Sequence, residues 1–177
     1  MTITKVAFVH DYLSQYGGAE KTLEALLELY PTADIYTGLY NPKNLPETIT
    51  SKNIIAPRNK LFLKLSKLLT FLMPVIFESF DLRSYDLIIS DGTAWPKGVI
   101  TSPNQLHIAY IHTPPRFLYK YSVETTKRNK WYLKPFVSVV DHFLRIWDFG
   151  AAQRPNYLIA NSIEVQKRIK KFYKRDA

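Results

Sequence analysis

The chain has 177 residues, 46% of them hydrophobic and 22% charged, with no cysteine and a formal net charge of +9. That length supports one domain with its own core and is cramped for two. The lack of cysteine excludes disulfides, thiol nucleophiles and thiolate-bound zinc, and it fits a reducing compartment. Residues 1–50 carry 3 Lys/Arg against 6 Asp/Glu, whereas residues 151–177 carry 7 against 2. A basic flank suits an anionic partner, whether phosphate-bearing ligand, anionic lipid surface or nucleic acid, or it serves only as a solvated face. The 12 Tyr, 10 Phe and 3 Trp favour sheet-rich or interface-rich structure.

Taken in order, the chain opens without a charged leader and apolar h-region, so secretion is not expected. Val6-Ala7-Phe8-Val9, ending at His10-Asp11, has the short apolar run of a central parallel strand. Gly17-Gly18 then precede a helical pattern from Ala19 to Leu29, closed by Pro31. Strand, glycine loop and helix can aim backbone N–H groups at an anion, although two glycines often serve the turn alone. Neither a Walker A loop nor the dinucleotide fingerprint is present.

Ala33–Tyr40 reads as a second strand. From Arg58 to Ile76, leucines 61, 65, 68, 69 and 72 align on one face and Lys60, Lys64 and Lys67 on the other, with Pro74 interrupting near the end. This basic amphipathic helix, or helix pair, covers the core or rests on an anionic membrane; its lysines exclude a span. Tyr85–Ser90 is a further strand, ending in the polar run Ser90-Asp91-Gly92-Thr93.

Leu106–His112 is the next strand, followed by Thr113, Pro114, Pro115 and Arg116. The double proline predicts that the chain neither continues the sheet nor enters a helix at once. His112, Thr113 and Arg116 are therefore expected at a strand's carboxyl end, where open α/β sheets bind ligands. The other reading of His112 is a satisfied histidine beside a turn. A long helical pattern runs from about Trp131 to Ala152, Asn156–Ala160 is the last strand, and Ser162 is a good N-cap for a basic helix from Ile163 to about Tyr173. The alternation predicts an α/β fold, a doubly wound, Rossmann-like parallel sheet with helices on both faces and its polar groups gathered on one rim.

Histidines 10, 107, 112 and 142 show no ligand spacing, so no metal is expected. His107 and His112 stand at odd separation on one strand and point to opposite faces. No Gly-x-Ser-x-Gly elbow supports a hydrolase, and no recognised nucleic-acid motif accompanies the basic charge.

The ordered set His10-Asp11-Tyr12, Gly17-Gly18-Ala19-Glu20-Lys21, Phe80 to Ser90, Lys97-Gly98-Val99, His107 to Arg116, Arg145-Ile146-Trp147-Asp148 and Ile159-Ala160-Asn161-Ser162 covers nearly the whole chain. It resembles the N-terminal half of bacterial family-four (group 1) retaining glycosyltransferases, especially the mannosyltransferase-like branch. The resemblance implies a GT-B enzyme in which this acceptor-side domain, residues 1–177, faces a nucleotide-sugar-binding domain absent from the chain.

By position, Gly17 and Gly18 would approach the donor diphosphate and His112 would face the transferred sugar as the catalytic residue. Asp11, Tyr12, Thr113, Arg116, Asn161 and Ser162 would line the acceptor side of the cleft. No cofactor or metal is implied. The expected partners are a nucleotide-sugar, a glycan or glycolipid acceptor, the missing domain and an anionic membrane surface met by Lys60, Lys64 and Lys67, in a cytoplasmic or peripheral inner-membrane setting. The chain departs from the family pattern at Pro115, where methionine is frequent, and at Phe117, where tyrosine is; Ser90-Asp91-Gly92-Thr93-Ala94-Trp95-Pro96 replaces a Ser-Ser-His-Ala-Val-Ala run, which bears on acceptor choice. The expectation for the isolated chain is a partial or split enzyme without turnover; the alternative is a non-catalytic module that binds anionic lipid or polyanion.

Overall fold

In the computed structural model, residues 5–57, 70–121 and 134–177 are described. The strands are β1 (Val6–His10), β2 (Asp34–Thr37), β3 (Ile54–Ile55), β4 (Leu87–Gly92), β5 (Leu106–Ile111) and β6 (Tyr157–Ala160). The helices are α1 (Gly18–Leu29), α2 (Glu47–Thr50), α3 (Met73–Glu78), α4 (Arg116–Tyr119), α5 (Lys134–Ala151) and α6 (Ile163–Tyr173). One six-stranded sheet has the order β3-β2-β1-β4-β5-β6, and every pairing in it is parallel. Parallel neighbours require crossover connections, and these carry the helices. The fold is the expected Rossmann-like α/β architecture. Its order reverses between β1 and β4, the switch point at which a crevice opens beyond the strand ends.

Strand alternation sorts the side chains onto two faces. Ala7, Val9 and Ile88 join one cluster with Met73, Phe77, Trp95 and Leu144, while Ala109, Ile111 and Leu158 join Val165, Ile169 and Tyr173. Phe8, Ile35, Leu87 and Ile89 pack instead on Leu23 and Leu27 of α1. The 18-residue α5 buries Leu144 and leaves Phe136, Val139, Phe143 and Ile146 exposed. At the sheet's end, Tyr157 and Ile159 of β6 pair with Ile108 and Tyr110 of β5 and are 63% and 45% exposed.

Two polar devices fasten the elements. Lys97, in the turn after β4, and Asp148 of α5 form a buried pair at 2.5 Å, and the Tyr119 hydroxyl donates to the other Asp148 oxygen at 2.9 Å. His107 faces the opposite side of β5 from His112, with its Nε2 2.9 Å from Ser90 Oγ. Burial first, and then the charges of Arg175 and Arg154, push the His107 pKa down to about 3. The ring is therefore neutral, a structural histidine.

Three sequence expectations change. Pro74 lies in the first turn of α3, where its missing N–H costs nothing, so it opens a helix rather than interrupting one. The remainder of the 58–76 amphipathic pattern, with Lys60, Lys64 and Lys67, lies outside the described residues, as does the start of the predicted helix before 134. The double proline does not delay a helix: α4 begins at Arg116 with Pro115 as its N-cap, because first-turn amides need no acceptor within the helix. Ser90, Asp91 and Gly92 belong to β4 itself and stay paired with β5, so they end the strand rather than form a loop.

Among the described residues the structure also has elements the sequence pattern did not announce. They are α2, the two-residue β3 and a 3-10 turn at Pro42–Asn44, each too short to show a period. No described helix is long and apolar enough to cross a membrane.

Candidate functional site

Parity and register build the site before any side chain is considered. His10 ends β1, Asp91 pairs with it on β4, and Asp91 in turn pairs with Tyr110 of β5. His112 follows Tyr110 by two residues, and its amide extends the ladder by donating to the Gly92 carbonyl at 3.1 Å. All three side chains consequently share the face that carries Phe8 and Ile89, at the carboxyl edge beside the switch point.

There they touch. His10 Nδ1 lies 2.9 Å from Asp91 Oδ2, and His112 Nε2 lies 2.8 Å from Asp91 Oδ1. The first is a well-formed hydrogen bond. In the second the atoms are at ion-pair distance while the bond directions are off the hydrogen-bond line. On its far side His10 Nε2 approaches Glu20 Oε1 at 3.7 Å, and Glu20 Oε2 accepts from the Gly17 amide at 2.8 Å. A continuous run of contacts thus joins His112 to Gly17, the two places at which the sequence located function.

Burial works against a charge on His10. The hydrogen bond to Asp91, the nearby Glu20 carboxylate and the charges of Asp91 and Asp11 outweigh it and lift the pKa to about 9. His10 is an imidazolium at neutral pH. Burial pushes Asp91 and Glu20 upward, but the same histidine, with His112 in the case of Asp91, holds both below their ordinary values. The Asp91 side chain is fully buried, whereas that of His112 is 16% exposed. With Nε2 turned to Asp91, Nδ1 is the ring nitrogen left for a ligand. The Tyr110 ring stands edge-on to His112, with centroids 5.3 Å apart.

Asp11 has a different task. Its carboxylate accepts from the amides of Thr93 (2.6 Å), Ala94 (3.2 Å) and Trp95 (2.9 Å), which folds the turn after β4 against the end of β1. A Cβ on Gly92 would meet Asp11 Oδ2 and Pro96 Cγ, each at 2.7 Å, so a glycine is needed for this approach. The Tyr12 hydroxyl accepts from the Trp95 indole at 2.8 Å, and burial first, then the Asp11 charge, raises its pKa.

The other sequence candidates fall into two groups. Thr113 is buried: its hydroxyl is 2.7 Å from that of Tyr121 and accepts from Arg168 of α6 at 3.2 Å. Arg116, Asn161 and Ser162 are exposed. Ser162 Oγ accepts from the Val165 amide at 3.3 Å and caps α6 as the sequence predicted. At α1 the Glu20 carboxylate already holds the Gly17 amide. A diphosphate at this helix end would displace Glu20 or use the next amide, at Gly18, whose surroundings are open: a Cβ there meets nothing within 4 Å.

Sequence reasoning placed His112 and Asp11 in the site but passed over His10, Asp91 and Glu20. The signal was there in strand parity, since His10 and Asp91 end two strands that a doubly wound order makes neighbours. Among the described residues no group of three or more His, Asp or Glu is arranged to hold a metal ion. No protein-family model matches the chain, and a comparison with curated proteins finds no match either.

Proposed function

We propose that the chain is the acceptor-side domain of a retaining glycosyltransferase, moving a sugar, mannose among the possibilities, from a nucleotide-sugar to a polysaccharide or glycolipid acceptor. The observation that supports this reading best is the His112 ring, partly exposed at the carboxyl edge and backed by a buried carboxylate at 2.8 Å. Sugar transfer with retention passes through an electron-poor anomeric carbon. The carboxylates of Asp11, Glu20 and Asp91 lie behind it, and the buried His10 imidazolium offsets only part of their charge, so the balance that remains favours positive charge developing there. Retention fits His112 as a group that contacts the transferred sugar, while the leaving diphosphate is met by the backbone at Gly17 and Gly18.

The test is ligand binding followed by amide NMR. Glycan or glycolipid acceptors should shift signals of His112, Tyr12 and Thr113, and nucleotide-sugars alone should not be turned over by this chain. Turnover by the 177-residue protein would overturn the division of labour, and a rim unmoved by every acceptor would overturn the assignment.

A second reading has its own support in α6, which exposes Lys167, Lys170 and Lys171 along an 11-residue helix. A non-catalytic module for anionic lipid or polyanion would bind anionic vesicles with strong salt dependence, reduced by neutralising Lys167, Lys170 and Lys171 as well as by neutralising Lys60, Lys64 and Lys67.

A further inference from the structure

We infer that Asp91, gripped from behind by His10, is the positioning residue of the site, fixing the His112 ring with Nε2 inward and Nδ1 toward the ligand. The inference rests on the transferase reading for its catalytic meaning, but the geometry that carries it does not.

Asp91 is fully buried and has two histidine partners, one on each oxygen. A buried carboxylate without a counter-charge is costly. His10 supplies that charge and is itself buried, so it has no access to substrate. The buried pair therefore acts through His112, the one member of the trio with exposed surface. Among the described residues, three further titratable side chains face the trio. Glu20 comes from α1, Asp11 from the loop after β1, and Tyr110 from β5. A carboxylate 2.8 Å from Nε2 favours the tautomer with a proton on that nitrogen, since two bare acceptors at that distance would repel. This leaves Nδ1 as acceptor or second donor, and a ligand hydroxyl would bring the ring into line with Asp91.

The test uses imidazole nitrogen NMR on the 177-residue chain, which has four histidines to assign. In the unaltered protein His112 should carry its proton on Nε2; a bare Nε2 with the proton on Nδ1 overturns the inference without any substitution. Asp91→Asn should shift the His112 signals and redistribute its tautomers while His107 and His142 stay in place. Unchanged His112 signals in that folded variant also overturn it. Should Asp91→Asn not fold, His10→Gln serves in its place, with a smaller shift at His112 expected and none counting against. These readouts are independent of catalysis. Under the transferase reading, with a donor-side domain supplied, Asp91→Asn should lower kcat at least tenfold with KM little changed. Correct tautomers with no transfer in the unaltered enzyme would sink the transferase reading while leaving the positioning role intact.

Discussion

Lys97 and Asp148 form a salt bridge in which both side chains are almost wholly buried, 2% and 1% exposed, and it ties the turn after β4 to the last turn of α5. Lys97 Nζ also donates to the Ala94 carbonyl at 2.5 Å and lies 5.4 Å from the Tyr173 ring centroid. Removing one partner strands a charge in the interior. Lys97→Met or Asp148→Leu alone should cost about 3–5 kcal/mol, whereas the double replacement should recover most of that. Urea unfolding of the three variants measures the coupling directly.

Stability should fall on both sides of neutrality, for separate reasons. His10 has a folded pKa of about 9 against an ordinary 6.5. Its contribution is complete below 6.5 and is lost as pH rises through 9. His107 is depressed to about 3, so its contribution is complete above 6.5 and is lost as pH falls through 3. Asp91 and Glu20, both held low, steepen the acid limb. Denaturant midpoints measured across this range should show a maximum between the limbs. His107→Gln should flatten the acid side and His10→Gln the alkaline side.

Two glycines of the rim should respond in opposite ways. Gly92→Ala places a methyl 2.7 Å from both Asp11 Oδ2 and Pro96 Cγ, and should cost about 1–3 kcal/mol while disordering the turn that Asp11 holds. Gly18→Ala meets no atom within 4 Å and should leave the melting temperature unchanged or raise it. Any loss of ligand affinity in Gly18→Ala then reports on the approach of the ligand to that amide and not on folding.

Ser162→Ala removes the oxygen that accepts from the Val165 amide and should destabilise by about 1 kcal/mol. Thermal unfolding of this variant checks the cap, and acceptor binding should survive it, because the hydroxyl serves α6.

How much of this was legible in the sequence differs from residue to residue. The strand at Val6–His10, the helix after Gly17, the strand ending before His112 and the Ser162 cap could be read because each has a local signature. The two-residue β3 and the four-residue α2 could not, since neither is long enough for a period to emerge. The helix after Pro114-Pro115 was missed because the rule against proline in helices applies to interiors, and Pro115 precedes the first turn. At the site, His112 was visible from its place at a strand end. Its partner was not, because the contact of Asp91 with His10 and His112 depends on which strands become neighbours in space, and residues 10, 91 and 112 share no local spacing. Glu20 stands at the third helical position and accepts from the amide of Gly17, the reciprocal half of a capping box, but with glycine as the N-cap the Ser/Thr that marks such a box in a sequence is missing.

Among the described residues the sheet ends on one side at the two-residue β3, too short to recruit another chain, and on the other at β6, where the side chains of Tyr157 and Ile159 are open to water. An open border of aromatic and branched residues is a template for adding strands from another molecule. Handling of the isolated chain will be governed by that border: light scattering should rise with concentration and fall when Ile159 is replaced by lysine.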